Sequence, residues 1–193
     1  TKENSCDRVL TEDELRIIWL ALSQKYNPED LLHTLHMSEQ TKLILKLQLV
    51  TAQRKGEVVE AEWSEIDLNS GWWTIPASKA KNNQAHRVPL SSLAIEILQG
   101  IKILGGDSRF LFPAQRGDRH ITAAAIDHAV RRSRFEGVAA WTPHDCRRTA
   151  ASYMTSIGIP RLTVTKILNH SENNNVTAIY DRHSYDNEKT RRP

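Results

Sequence analysis

The segment from Thr142 to Ile157 reads TPHDCRRTAASYMTSI and carries signals for both ends of a helix. Proline suits the first turn of a helix, and Gly158, which follows the segment, suits the residue that ends one. The segment is therefore predicted to be one helix. Because residues three apart project from the same face of a helix, His144 and Arg147 are expected to lie side by side. An imidazole beside a guanidinium suits a phosphate, although a surface histidine and a salt-bridging arginine would have the same spacing.

Helices are predicted on both sides of this segment. Thr11 and Glu14 have the spacing of a capping box, and apolar residues follow at helical spacing from Leu15 onward. Further helices are expected at residues 38–50, 91–104, 122–134 and 160–169, with a short helix after residue 51 and a last one near residue 177. Most of the chain is therefore predicted to be helical.

Two β-prone stretches flank one polar, basic loop. Trp72–Ile75 and Arg87–Leu90 favour extended backbone, and the loop between them, Lys79–Ala85, carries two adjacent asparagines that signal a turn. Pro76 and Pro89 cannot donate to a sheet ladder, so the strands should be short or lie at an edge. The predicted fold class is α+β, mainly α with a small antiparallel β-sheet.

Composition limits the classes of function. The 193 residues are 39% hydrophobic and 25% charged, which is ordinary for a globular protein of one large domain or two small ones. No apolar run approaches the roughly 20 residues of a membrane helix, and no signal peptide is recognisable. The two cysteines make no disulfide framework, so a reducing, cytoplasmic location is expected. A net charge of +3 permits nucleic acid as a partner without requiring it.

Residues with related chemistry recur in one order along the chain. They are Arg54, Glu57, Lys81, His144, Arg147, His170 and Tyr180. This order resembles the catalytic set of the tyrosine recombinases, the phage integrase family. The runs around residues 143–149 and 168–185 are similar to those of prophage and genomic-island integrases, and the resemblance covers residues 10–182.

The resemblance implies a role for each of these residues. Arg54 and Arg147 match the arginines that clamp the phosphate, and Glu57 matches the acid that supports the first of them. His144 and His170 match the two histidines of the set. Guanidinium groups, which are always ionised, can bind the oxygens on which negative charge accumulates during transfer to phosphorus.

Two of the assignments have rivals nearby in the chain. Lys81 matches the lysine that donates a proton to the leaving 5′ oxygen from a mobile loop, and Lys79 is its alternative. Tyr180 matches the nucleophile, and Tyr185 is its alternative. A tyrosine hydroxyl has an ordinary pKa of about 10, so adjacent cations would favour its phenolate and a neutral histidine can accept its proton.

The resemblance implies a site-specific recombinase that cuts and rejoins DNA strands through a 3′-phosphotyrosyl intermediate, without ATP, metal or other cofactor. The expected partners are double-stranded DNA at attachment sites, further copies of the chain in a homotetramer on DNA, and accessory DNA-bending proteins. Alone, the chain is expected to be a monomer. The expected role is the integration and excision of a prophage or genomic island in the bacterial cytoplasm, with no membrane partner.

Three other functions are weighed against this one. A type IB topoisomerase uses the same chemistry to nick and reseal one strand. A non-catalytic DNA-binding regulator would keep the fold but lose the nucleophile or a clamp arginine, and all of these residues are present. A metal-dependent nuclease needs clustered carboxylates, which the sequence does not display.

The chain is expected to divide into a tail or linker at residues 1–9 and a catalytic domain at residues 10–193. No stretch of the sequence resembles the N-terminal DNA-binding module that family members usually carry. We therefore expect an isolated catalytic domain that binds DNA weakly.

Overall fold

The computed structural model describes residues 8–24, 35 and 37–170. Within these ranges the chain forms seven α-helices, one short 3-10 helix at Trp63–Glu65 and three β-strands. The helices are α1 (Glu12–Ser23), α2 (Glu39–Thr51), α3 (Lys55–Val59), α4 (Ser92–Gly105), α5 (Ala123–Arg132), α6 (Pro143–Ser156) and α7 (Arg161–Ile167). The strands are β1 (Ile66–Asp67), β2 (Trp72–Ile75) and β3 (His86–Pro89). None of the described helices is both long and apolar enough to cross a membrane.

Short polar side chains begin most of these helices. The Thr11 hydroxyl accepts a hydrogen bond from the Glu14 amide at 3.2 Å, and Glu14 Oε2 accepts one from the Thr11 amide at 3.0 Å, which completes the predicted capping box. The hydroxyl groups of Ser38, Ser91 and Thr122 accept from the third amide of α2, α4 and α5. These caps satisfy amides that have no partner inside the helix, so they fix where each helix starts.

The three strands form one antiparallel sheet in the order β1, β2, β3, which confirms the predicted fold class and strand pair. Trp73 points into the core and is 1% exposed. Trp72 lies on the other face, where the Arg87 guanidinium carbon is 4.1 Å from its ring centre. The sequence does not predict β1, because its two residues are too few to show an alternating pattern. Pro89 lies in β3 at the edge of the sheet, as expected.

Helix α2 lies at the centre of the main hydrophobic core. It contacts α1, α3, α4 and α6, and its Ile44, Leu45 and Leu47 are at most 1% exposed. A helix that is covered by four others has little freedom to shift within the domain. The C-terminal end of α2, after which the chain continues to Arg54, is therefore held in a fixed position.

A smaller hydrophobic cluster packs α7 against the ends of α2 and α6. Ala52, Val164 and Leu168 are buried together, with Ala150 and Ala151 of α6 beside them. Ala52 has a left-handed backbone conformation, with φ at 57°, and the chain changes direction there. The residues that follow α2 consequently reach the C-terminal end of α7.

The buried hydroxyl of Thr149 offers a test of this packing. It accepts a hydrogen bond from the Leu10 amide at 2.9 Å, which joins the residues before α1 to α6. Thr149→Val leaves that buried amide without a partner, so we expect the free energy of unfolding to fall by about 1–3 kcal/mol, as measured by urea denaturation.

Thr155→Val is the matched control on the same helix. The Thr155 hydroxyl bonds to the Ala151 carbonyl of α6 itself, at an exposed position. Its loss should change the free energy of unfolding by no more than about 0.5 kcal/mol. Equal losses in the two variants would contradict the role given to Thr149.

Candidate active site

The C-terminal turn of α7 is the place where the candidate site residues meet. The Asn169 amide donates to the Lys166 carbonyl at 3.2 Å, and the His170 amide donates to the Thr165 carbonyl at 3.1 Å. Asn169 has a left-handed backbone with φ at 47°, which asparagine tolerates better than most residues. These bonds form a Schellman motif, which ends the helix and places His170 directly after it. We call residues 167–169 the α7 terminal turn.

Arg147 reaches the α7 terminal turn from α6. Its Nη1 donates to the Ala52 carbonyl at 2.7 Å, and its Nη2 donates to the Leu168 carbonyl. Burial lowers the pKa of Arg147 to about 10, and the positive charge of Arg54 also lowers it. The group therefore stays protonated at neutral pH. Two of its five N–H donors are used by partners in the described part of the chain.

Arg54 reaches the same turn from the N-terminus of α3. Its Nη2 donates to the Asn169 carbonyl at 3.3 Å, and its Nη1 donates to Glu57 Oε1 at 2.9 Å. The other carboxylate oxygen of Glu57 accepts from the Arg54 backbone amide at 3.0 Å. The Glu57 side chain is 3% exposed and that of Arg54 is 21% exposed. The buried carboxylate thus fixes a guanidinium that still reaches the surface.

The two histidines lie within the electrostatic reach of these arginines. Partial burial lowers the pKa of His170 from its ordinary value of 6.5, and the charges of Arg147 and Arg54 lower it further. Partial burial also lowers the pKa of His144, and the charges of Arg148, Arg147 and Arg54 lower it further. The neighbouring carboxylate of Asp145 has the opposite effect. A lowered pKa favours the neutral imidazole in both residues, and both side chains reach the surface. The structure therefore brings four of the predicted site residues into one cluster.

The two candidate lysines differ in their surroundings. Lys79 Nζ donates to the Glu60 carbonyl at 2.8 Å and to Glu62 Oε1 at 2.9 Å, and it also bonds to Glu65. Partial burial opposes protonation of Lys79, but the hydrogen bonds to Glu65 and Glu62 raise its pKa overall. A lysine held in this way is a poor proton donor to a substrate. Lys81 is exposed and has no hydrogen bond or ion pair within the described residues.

Three further side chains contact the α7 terminal turn, and none of them is among the residues predicted for the site. Gln53 Nε2 donates to the Ile167 carbonyl at 3.1 Å, and His86 Nε2 lies 3.0 Å from the same oxygen. Asn82, which follows Lys81, forms hydrogen bonds with Asn169. Each is a neighbour or near neighbour of a predicted site residue, but its partner lies at least 81 residues away, so no local pattern could reveal it.

The remaining candidate residues are the two tyrosines, one cysteine and the possible metal ligands. Tyr180 and its rival Tyr185 lie outside the described residues, so the choice of nucleophile stays a prediction. Cys146 is fully buried, and burial raises the pKa of its thiol to about 12, so it does not act as a thiolate nucleophile. In the described ranges no three histidine, cysteine or carboxylate side chains are grouped so that they could hold a metal ion.

The chain is similar in sequence to known integrases. Residues 10–187 match the phage integrase family. The chain is 34% identical over 159 residues to prophage integrase IntA of Escherichia coli K12, which covers 80% of this chain and 38% of IntA. It is 29% identical over 154 residues to the integrase of enterobacteria phage P4, which covers 72% of this chain and 35% of that integrase. The chain thus spans less than two fifths of the length of either relative.

Solved structures share the fold. XerA recombinase superposes with a TM-score of 0.67 at 20% identity, over 96% of this chain and 64% of XerA. A lambda integrase, solved as a tetramer bound to a Holliday junction, superposes with a TM-score of 0.63 at 21% identity, over 88% of this chain and 49% of that chain. Because the family match covers nearly all of the sequence and the fold agrees with it, the chain belongs to the phage integrase family, a family of tyrosine recombinases.

Proposed function

We propose that this chain is the catalytic domain, over residues 10–193, of a site-specific recombinase that cuts and rejoins DNA strands. The observation that carries the proposal is the cluster of Arg54 and Arg147 with His144 and His170 around the α7 terminal turn. Two permanent cations beside two neutral imidazoles provide what transfer to and from a phosphodiester needs, namely charge stabilisation and proton acceptance.

The two arginines act on the phosphate. Negative charge builds up on the non-bridging oxygens when a nucleophile attacks phosphorus, and guanidinium donors bind such oxygens strongly. Arg147 is held by two backbone carbonyls and Arg54 by Glu57, so neither has to be ordered when DNA binds. This arrangement supports catalysis because preorganised charge requires no rearrangement at the transition state.

The remaining groups move protons. The Tyr180 oxygen attacks phosphorus and forms the 3′-phosphotyrosyl bond, while its proton passes to a neutral imidazole of the cluster. The P–O5′ bond breaks, and the leaving oxygen takes a proton from Lys81. Rejoining is the reverse sequence, so neither step consumes ATP or requires a metal ion. The ion pairs that hold Lys79 favour Lys81 for this role.

The names of the relatives support a proposal for the biological setting. IntA is named a prophage integrase, and the phage P4 relative is named an integrase. We propose that the present chain serves the integration and excision of a prophage or genomic island and acts on duplex attachment sites. The lambda integrase of the same fold forms a tetramer on a Holliday junction, which supports a homotetramer as the active assembly. Accessory DNA-bending proteins remain an expectation.

A covalent adduct on a nicked suicide DNA substrate tests the nucleophile. The nick lets a short strand diffuse away after cleavage, so the protein stays attached to DNA and is detected on a denaturing gel. Tyr180→Phe should abolish the adduct because it removes the attacking oxygen, whereas Tyr185→Phe should retain it. An adduct that survives in Tyr180→Phe and disappears in Tyr185→Phe would show that the assignment is wrong.

The charge of Arg54 should be visible in the titration of the histidines. A nearby positive charge disfavours the imidazolium, so its removal in Arg54→Gln should raise the pKa of both His170 and His144. NMR pH titration of the imidazole signals measures this directly. Arg131→Gln is the matched control, because Arg131 is exposed on α5 and is not among the charges that act on either histidine. Unchanged pKa values in Arg54→Gln would refute the clustering of these groups.

A further inference from the structure

The loop between β2 and β3 is joined to the α7 terminal turn by a reciprocal pair of side-chain amides. Asn82 Nδ2 donates to Asn169 Oδ1 at 2.9 Å, and Asn169 Nδ2 donates to Asn82 Oδ1 at 3.1 Å. Asn82 Nδ2 also approaches the Asn169 carbonyl at 3.4 Å. Because each amide both donates to and accepts from the other, the pair fixes the separation and the orientation of the two segments.

Both asparagines also organise their own segments. Asn82 Oδ1 accepts from the Gln84 amide at 3.3 Å, and the Asn83 amide donates to the Ala80 carbonyl at 2.9 Å, so the loop forms a defined turn around Asn82. Asn169 occupies the left-handed position that ends α7. Its carbonyl also accepts from Arg54. The amide pair therefore joins the loop to the turn that orients a clamp arginine.

Lys81 lies between Lys79, which is anchored to Glu60 and Glu62, and Asn82, which bonds to the α7 terminal turn. The Lys81 side chain has no partner in the described part of the chain. The position of its backbone therefore sets the region that its ammonium group can reach. Farther along the loop, His86 contacts the Ile167 carbonyl, which fixes the base of β3 but lies five residues from Lys81. Among the described contacts, the Asn82–Asn169 pair is the one next to Lys81 that holds it near the cluster of arginines and histidines.

We propose that Asn82 and Asn169 are positioning residues for the proton donor, an inference that rests on the proposed function. The pair holds the loop against the α7 terminal turn, so that Lys81 Nζ contacts the same phosphate that the two clamp arginines bind. When the P–O5′ bond breaks, the proton on Lys81 Nζ passes to O5′, and the lysine is left neutral. Loss of the pair withdraws the proton donor but leaves the arginines in place.

The chemistry of the leaving group separates this role from a general structural one. An alcohol needs a proton as it leaves, whereas a thiol, with an ordinary pKa of about 8.5, leaves readily as the thiolate. A suicide DNA substrate with sulfur in place of the bridging 5′ oxygen therefore makes the proton donor unnecessary. It still requires the nucleophile and the arginines.

The experiment measures single-turnover cleavage of the oxygen and sulfur substrates by the whole chain. We expect Asn82→Ala to cleave the oxygen substrate at least about 10-fold more slowly than the unsubstituted protein and the sulfur substrate at about the same rate, as Lys81→Ala should also do. Asn169→Gly removes the partner amide while glycine keeps the left-handed backbone, and it should show the same pattern. The variant that carries both substitutions should be no slower than either single variant, because each substitution already breaks the same amide pair.

Gln84→Ala is the matched control. It removes an exposed side-chain amide from the same loop, keeps the backbone amide that donates to Asn82, and should leave both rates unchanged. Equal slowing of both substrates by Asn82→Ala, or no slowing of either, would overturn the positioning role. If the unsubstituted chain cleaved neither substrate, the proposed function itself would fail. If it cleaved both while Lys81→Ala behaved like the unsubstituted protein, the proton donor would be another group and the inference would fail alone.

Discussion

A helix that ends inside a protein leaves carbonyl oxygens without backbone donors, and buried carbonyls must find partners elsewhere. At the α7 terminal turn, the donors are side chains that approach from separate parts of the chain. Arg147 bonds to Leu168, Arg54 bonds to Asn169, and Gln53 bonds to Ile167. These hydrogen bonds join α6, α7 and the segment after α2, which also share a small hydrophobic cluster. The same contacts create the cluster that we assign to catalysis.

This arrangement also explains how two arginine side chains can lie close together in the cluster. Arg147 is 2% exposed, so its charge would be costly to bury without partners. The carbonyls of Ala52 and Leu168 bind that charge, and the buried carboxylate of Glu57 binds that of Arg54. The remaining donors and the two neutral imidazoles leave the cluster electropositive. A phosphodiester is the kind of group that such a cluster favours.

Local chemistry made most of the fold predictable. Thr11, Ser38 and Thr122 cap their helices through hydrogen bonds to amides three residues away, so the sequence alone fixes these helix starts within a residue or so. The β2–β3 pair was predictable from its β-prone runs and polar loop. In contrast, β1 depends on pairing with β2, which no pattern within its two residues encodes.

The resemblance to the tyrosine recombinase catalytic set singled out Arg54, His144, Arg147 and His170 as candidates. That these four side chains lie in one cluster depends on long-range packing, for which the sequence has no local signal. The choice between Lys79 and Lys81 depends on Glu62 and Glu65, which lie 17 and 14 residues before Lys79. The Asn82–Asn169 pair spans 87 residues. Such contacts follow from tertiary structure and have no local signal.

Amide hydrogen exchange at the end of α7 measures how strongly Arg147 stabilises that helix end. Arg147→Lys keeps the charge but removes the fork that bonds to two carbonyls at once. The amides of Leu168, Asn169 and His170, whose hydrogen bonds to carbonyls of the last turn of α7 end that helix, should then exchange at least about 10-fold faster by NMR. Those of Ile18 and Leu22 in α1 should stay unchanged. Unaltered exchange at the terminal turn would contradict the claim that Arg147 holds the site together.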